Sequence, residues 1–207
     1  GNVTVNGDFS TVIAHIGGCA GMTYWNNKDF VNEGNVTITG SYELLRVGGT
    51  VGAANHGTDS HINKGNVTVN ATYNGATYVG GCLGYSVYDD KKEKACINCD
   101  NYGKISVTGT QATTSDVCVA GVACYVTTAS NDNTNLHNHE GADIYVNMES
   151  SNGKIHVGGV MYKSKAVLSN STNRGNITLE GKSGNTVYIG GILTSQKLTQ
   201  YRIGQLE

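Results

Sequence analysis

The sequence predicts an all-β chain wound as a parallel β-solenoid, a three-sided, right-handed β-helix of about six rungs. Three observations predict it. A phrase of the form Asn-x-Gly followed by a Val/Ile-Thr-Val strand begins at Gly1, Gly34, Gly65, Gly103, Gly141 and Gly175. A second phrase, Val-Gly-Gly-apolar, begins at Ile16, Val47, Val79, Val119, Val157 and Ile189, so both return every 31 to 40 residues. The composition supports the repeat: 29 Gly, no Pro and 23 Asn in 207 residues suit many tight corners and few helices. A period of this size marks stacked units that each bury a face only against their neighbours.

In the first strand of each repeat, Val3 and Val5, Val36 and Ile38, Val67 and Val69, Ile105 and Val107, Ile144 and Val146, and Ile177 and Leu179 alternate with Thr4, Thr37, Thr68, Ser106, Tyr145 and Thr178. Period two with β-branched residues means aliphatics facing in and threonines facing out. The second strand places Val47, Val79, Val119 and Val157, then Val51, Leu83, Ala123 and Met161, inward. Its outward columns read His15, Arg46, Tyr78, Cys118, His156, Tyr188 and Cys19, Thr50, Cys82, Val122, Val160, Ile192. The latter is apolar for an exposed column, so that side is either covered by the third side or kept as a partner surface. The paired glycines relieve crowding at a bend, with Ala120 the exception.

Asn32, Asn63, Asn101, Asn138 and Asn173 precede the first strands. On stacking they align in a column whose amides bond one another or satisfy corner backbone groups. The glycines that follow, Gly34, Gly65, Gly103, Gly141 and Gly175, suit left-handed corners. Two strands plus a variable third side make one rung of three. Parallel crossovers are nearly always right-handed, which sets the expected hand. A propeller blade takes four strands in about 40–45 residues, more than these repeats offer. The solenoid is expected over residues 1–195, with 196–207 as a C-terminal tail or partial cap.

Composition excludes several function classes. Only 14% of residues are charged and the net charge is −2, so no basic surface for nucleic acid is expected. No apolar run approaches the roughly 20 residues of a membrane-spanning helix, and membrane insertion is not expected. Cys19 and Cys82 are two rungs apart, about 9.6 Å, too far for a disulfide. Cys118 and Cys124 read as one strand, about 20 Å apart. Only the Cys96-x-x-Cys99 pair is local, and its oxidation state stays open; the other thiols read as small packing residues. The six Asn-x-Ser/Thr sequons bear on glycosylation only in a eukaryotic secretory setting, and four of them fall within the repeated strand itself.

The phrases Cys99-Asp100-Asn101-Tyr102-Gly103-Lys104-Ile105 and Val79-Gly80-Gly81-Cys82-Leu83-Gly84 resemble the Gly-rich GLUG repeats of secreted and surface-attached bacterial proteins. The resemblance covers about residues 1 to 195, departing at Val119-Ala120-Gly121 and at Tyr162 and Thr194. It implies an extracellular or bacterial cell-surface location and a structural or adhesive role, and it transfers no catalytic residue.

The chain carries no HExxH metalloprotease motif. His137 and His139 beside Glu140 lack a third ligand at useful spacing, so they read as polar loop residues and no metal or cofactor is expected. Solenoid enzymes acting on polysaccharide need two carboxylates on one face, and only Asp143 and Glu180 stand on the outward first-strand face. An ice-binding ladder needs an unbroken Thr face, which Lys104, Tyr145 and Asp143 interrupt. The expected function is therefore that of a non-catalytic adhesin or stalk. Its partners are a host or cell-surface glycan or protein, and further repeats or domains of a longer chain. The candidate ligand-binding residues are Tyr24, Trp25, His56, Tyr85 and Tyr88 on the variable third side, beside the charged run Asp89 to Lys94; Trp25 suits either recognition or sealing the first rung. A polysaccharide-acting β-helix enzyme and an ice-binding-type ladder protein are the alternatives.

Overall fold

The computed structural model of the protein describes residues 1–25, 27–86, 96–127 and 132–196. Its regular structure is entirely β, with no helix among the described residues. The strands pair in parallel, each with its counterpart in the neighbouring repeat, and form sheets of ten, six and eight strands. In the largest sheet Val3, Val36, Val67, Ile105, Ile144 and Ile177 stand in one register column. The alternation of the sequence explains the burial: Val36, Ile38, Val67, Val69, Ile144 and Val146 are sealed from water, while Thr37, Thr68, Ser106 and Tyr145 keep partial exposure. A second core lies behind the six- and eight-stranded sheets, built on Val51, Leu83, Leu136 and Met161.

Two separate strands per repeat were expected before the third side, yet the first two repeats run them together as Val3–Gly17 and Val36–Gly48. In the first repeat the strand runs on through a bulge between Phe9 and Ile13; in the second the register gives the reason. Two residues separate Tyr42 from Leu45, but three separate their partners Tyr73 and Thr77. The added residue turns the chain at Asn74–Ala76, whereas the shorter link stays extended. One ten-stranded sheet therefore carries both strand columns.

The expected asparagine column is present in full. Asn32, Asn63, Asn101 and Asn138 each donate an Nδ2 hydrogen to the Oδ1 of the next asparagine at 2.8 Å. Their second hydrogens go to backbone carbonyls at 2.7–2.8 Å. The two glycines of each pair answer to different neighbours: a Cβ on Gly48 would stand 2.0 Å from the Val51 carbonyl oxygen, whereas one on Gly18, Gly49 or Gly81 would stand 2.3–2.4 Å from the ladder's Cγ atoms. The second glycine of each pair is thus the ladder's packing wall, and it is kept in the repeat where the first becomes Ala120. The glycines after the asparagines correct the sequence reading. Of the five, only Gly141 has a left-handed φ (+81°); at Gly65 a Cβ would meet the Gly34 carbonyl oxygen at 1.8 Å. Close stacking of backbone, not chirality, selects glycine there.

One open placement is resolved and one expectation is corrected. Thr50, Cys82, Val122 and Val160, read as a column either covered or kept for a partner, are covered: they are sealed behind the six- and eight-stranded sheets. Cys118 and Cys124 are not about 20 Å apart either: the Cys124 thiol donates to the Cys118 carbonyl at 3.2 Å. Both outcomes have one cause. The glycine pair is a bend, not extended strand, so it resets the alternation and folds the chain back on itself.

The eight-stranded sheet has a signature of its own. Asp29, Ser60, Asn98, Asn135 and Asn170, in five successive repeats, all adopt left-handed φ of 43–60°. Each stands three residues before a ladder asparagine. This bulge turns Cys96 and Cys99, i and i+3, to the same inner side, with sulfurs 3.3 Å apart as free thiols.

Inside that side His61 packs on Phe30 at 5.0 Å, and its Nδ1 meets the Thr50 hydroxyl at 2.9 Å. Loss of water pushes the imidazole down to about 4. The unfolded chain protonates it below about pH 6.5, while the folded chain holds it neutral to about pH 4, so the native state binds fewer protons in that window. Stability is full above pH 6.5 and is expected to fall by about 3 kcal/mol as pH drops to 4, then level off. Urea midpoints at pH 7.5 and 4.5 check this, and His61→Gln should remove most of the slope.

Candidate functional site

The bend at each glycine pair faces two outward columns toward one another. From the strand before it come His15, Arg46, Tyr78, Cys118, His156 and Tyr188, in register. From the strand after it come Ala53, Tyr85, Tyr125 and Lys163. Strand spacing brings like residues of adjacent repeats within ring contact, and the columns merge into one aromatic row. Tyr85 stacks on Tyr125 with centroids 4.9 Å apart, and Tyr78 meets both at 4.8 and 5.6 Å. Tyr125 continues to Tyr162 at 6.0 Å, and His156 joins Tyr162 at 4.5 Å and Tyr188 at 4.7 Å.

The floor of this groove is a small apolar cluster of Cys118, Ala120, Cys124 and Tyr162. Burial pushes both thiols up, which keeps them protonated and unreactive. The phenols of Tyr78 and Tyr162 are raised for the same reason and stay neutral hydrogen-bonding groups. Two cations border the row: the Arg46 guanidinium lies 4.0 Å over the Tyr85 ring, and the Lys163 ammonium 5.3 Å over Tyr125. At the far end Asp116 lies 3.4 Å from His156, whose imidazole is pushed down, chiefly by burial.

The five residues singled out from sequence do not form one site. Trp25 and His56 stack at 5.7 Å with their planes 2° apart, beside Tyr24; Trp25 is 79% exposed. Tyr85 belongs instead to the groove. Tyr88 lies outside the described residues, as does the charged run 89–94. The groove partners Tyr125, Tyr162 and Lys163 were missed. The signal for two of them was in the sequence: Tyr85, Tyr125 and Lys163 each stand two residues past an inward Leu83, Ala123 or Met161.

The remaining polar clusters are engaged internally. His139 Nε2 meets Asp100 Oδ1 at 2.7 Å and its ring stacks on Tyr102 at 3.9 Å, while His137 pairs with the Thr172 hydroxyl at 2.9 Å. Among the described residues no three His, Cys, Asp or Glu side chains converge in a way that could hold a metal ion. Asp143 pairs with Lys104 at 3.6 Å, and Glu180 accepts from the Tyr145 hydroxyl at 2.7 Å.

Comparison with protein-family models, with curated proteins and with solved structures finds no match to this chain.

Proposed function

We propose that the chain is a three-sided, right-handed parallel β-solenoid of about six rungs, serving as a rigid adhesin or stalk at a bacterial cell surface and binding glycan or protein without catalysis. The observation that carries this reading is the aromatic row from Tyr78 and Tyr85 to Tyr188, held on an outer angle of stacked strands. Partly exposed tyrosines offer large contact area and a hydroxyl with few rotatable bonds to freeze, which suits recognition of a partner. Repeat-to-repeat pairing in three sheets and a buried amide ladder supply the rigidity that presents it. The resemblance to GLUG repeats supports the surface location. Recognition falls in part on the outer angle rather than only on the third side, where the Trp25–His56 stack is a second, smaller platform.

The test is a glycan and extracellular-matrix array probed with the unaltered chain, a Tyr85→Ala/Tyr125→Ala variant and a Trp25→Ala variant. Selective binding that falls tenfold or more in the double variant, with an unchanged circular dichroism spectrum, is the expected result. Binding that survives the double variant and is lost in Trp25→Ala would move the site to the third side. A folded sample that binds nothing would overturn the recognition reading.

A further inference from the structure

We infer that the aromatic groove takes a carboxylate-bearing glycan, with the acid group of a sugar docked on Arg46; this rests on the recognition reading above. Arg46 stands in register between His15 and Tyr78. One face of its guanidinium is spent on the Tyr85 ring at 4.0 Å, and its Nε is sealed from water with no hydrogen-bond partner. Among the described residues the ion pairs are those of Lys28, Lys64, Lys104, His139 and His156, and none reaches Arg46. Its neighbour on the other side of the column is His15, a nitrogen base held neutral first by burial and then by the guanidinium, so it supplies no counter-charge. A half-buried guanidinium beside phenols, without a counter-ion, carries a desolvation cost that an incoming anion would offset.

The chemistry of the groove selects which anion. The guanidinium fork matches a carboxylate through two parallel N–H···O bonds, more closely than a point cation does. Tyr85 and Tyr125 cover one another's faces, so the row presents ring edges and hydroxyls, which are donors and acceptors for sugar hydroxyls. Lys163 sits three repeats beyond Arg46 on the same angle, roughly 14 Å away at strand spacing, so an extended chain of acidic sugars lying along the groove reaches both cations. The acid in this angle, Asp116, stands two repeats beyond Arg46, within the span to Lys163, and is turned onto His156 at 3.4 Å.

The experiment measures binding of oligogalacturonate, its fully methyl-esterified counterpart and poly-glutamate to the unaltered chain, to Arg46→Gln and to Arg46→Lys. Oligogalacturonate is expected to bind at least tenfold more tightly than the neutral ester, and Arg46→Gln should abolish that preference. Arg46→Lys should retain only part of it, because it keeps the charge and loses the fork. Equal binding of acid and ester by the unaltered chain overturns the proposal whatever Arg46→Gln does to folding. Poly-glutamate binding as tightly as oligogalacturonate overturns it in favour of an acidic peptide. Array binding confined to neutral glycans sinks this proposal while the recognition reading stands; no array binding at all sinks both.

Discussion

Replacing Asn101 with Leu is expected to cost about 3–6 kcal/mol, a large fraction of the total stability of a folded domain. The side chain is completely buried and makes four hydrogen bonds. Its Nδ2 donates to Asn138 Oδ1 and to the Gly103 carbonyl, both at 2.8 Å. Its Oδ1 accepts from Asn63 Nδ2 at 2.8 Å and from the Gly103 amide at 3.3 Å. Leucine fills similar volume but strands two or more of these groups where no water reaches, at about 1–3 kcal/mol each. Asn101→Asp should be as damaging, because it sets carboxylate oxygens against the Asn138 oxygen and the Gly103 carbonyl with no hydrogen to share. An exposed control, Asn70→Ala, should change little. Urea melts of the three variants decide the matter: an Asn101→Leu midpoint equal to that of Asn70→Ala would mean that the ladder is decoration on a fold held by its aliphatic columns alone.

Gly81→Ala should be nearly as severe, a loss of more than about 3 kcal/mol. The added Cβ would stand 2.0 Å from the Gly121 carbonyl oxygen and 2.4 Å from Asn101 Cγ. Neither neighbour can yield: the first is backbone held in a sheet-to-sheet stack, and the second is fixed by its four hydrogen bonds. Gly141→Ala is the informative contrast. That residue has φ +81° but no atom within 4 Å of the new Cβ. It should lose only the strain of a left-handed alanine, about 1–2 kcal/mol. Thermal melts of the two variants separate close approach from backbone chirality as the reason for glycine; equal losses would refute the distinction.

Much of the fold was legible because each repeat carries the same instructions. Alternation at Val36-Thr37-Ile38 and its equivalents settled which residues face in, since a one-residue slip would expose the whole set. Asn32, Asn63, Asn101 and Asn138 were legible as a column because equal spacing in sequence becomes adjacency in a parallel stack. The left-handed column of Asp29, Ser60, Asn98, Asn135 and Asn170 was equally present in the sequence, three residues ahead of that ladder, but its residue types vary and do not by themselves mark a bulge.

The groove was legible only in halves. The column His15, Arg46, Tyr78, Cys118, His156, Tyr188 could be written down from the repeat, but the strand after the glycines was treated as its continuation. What the sequence by itself determined was the set of columns, because identity at a fixed period dictates which residues stack. What only the tertiary structure decided was which columns meet. The angle at Gly80-Gly81 and its equivalents puts Tyr78 against Tyr85, Cys118 against Cys124 and Arg46 over an aromatic ring. Glycine permits many angles, and the one adopted is set by the asparagine amide packed against it, 14 to 20 residues away in the chain.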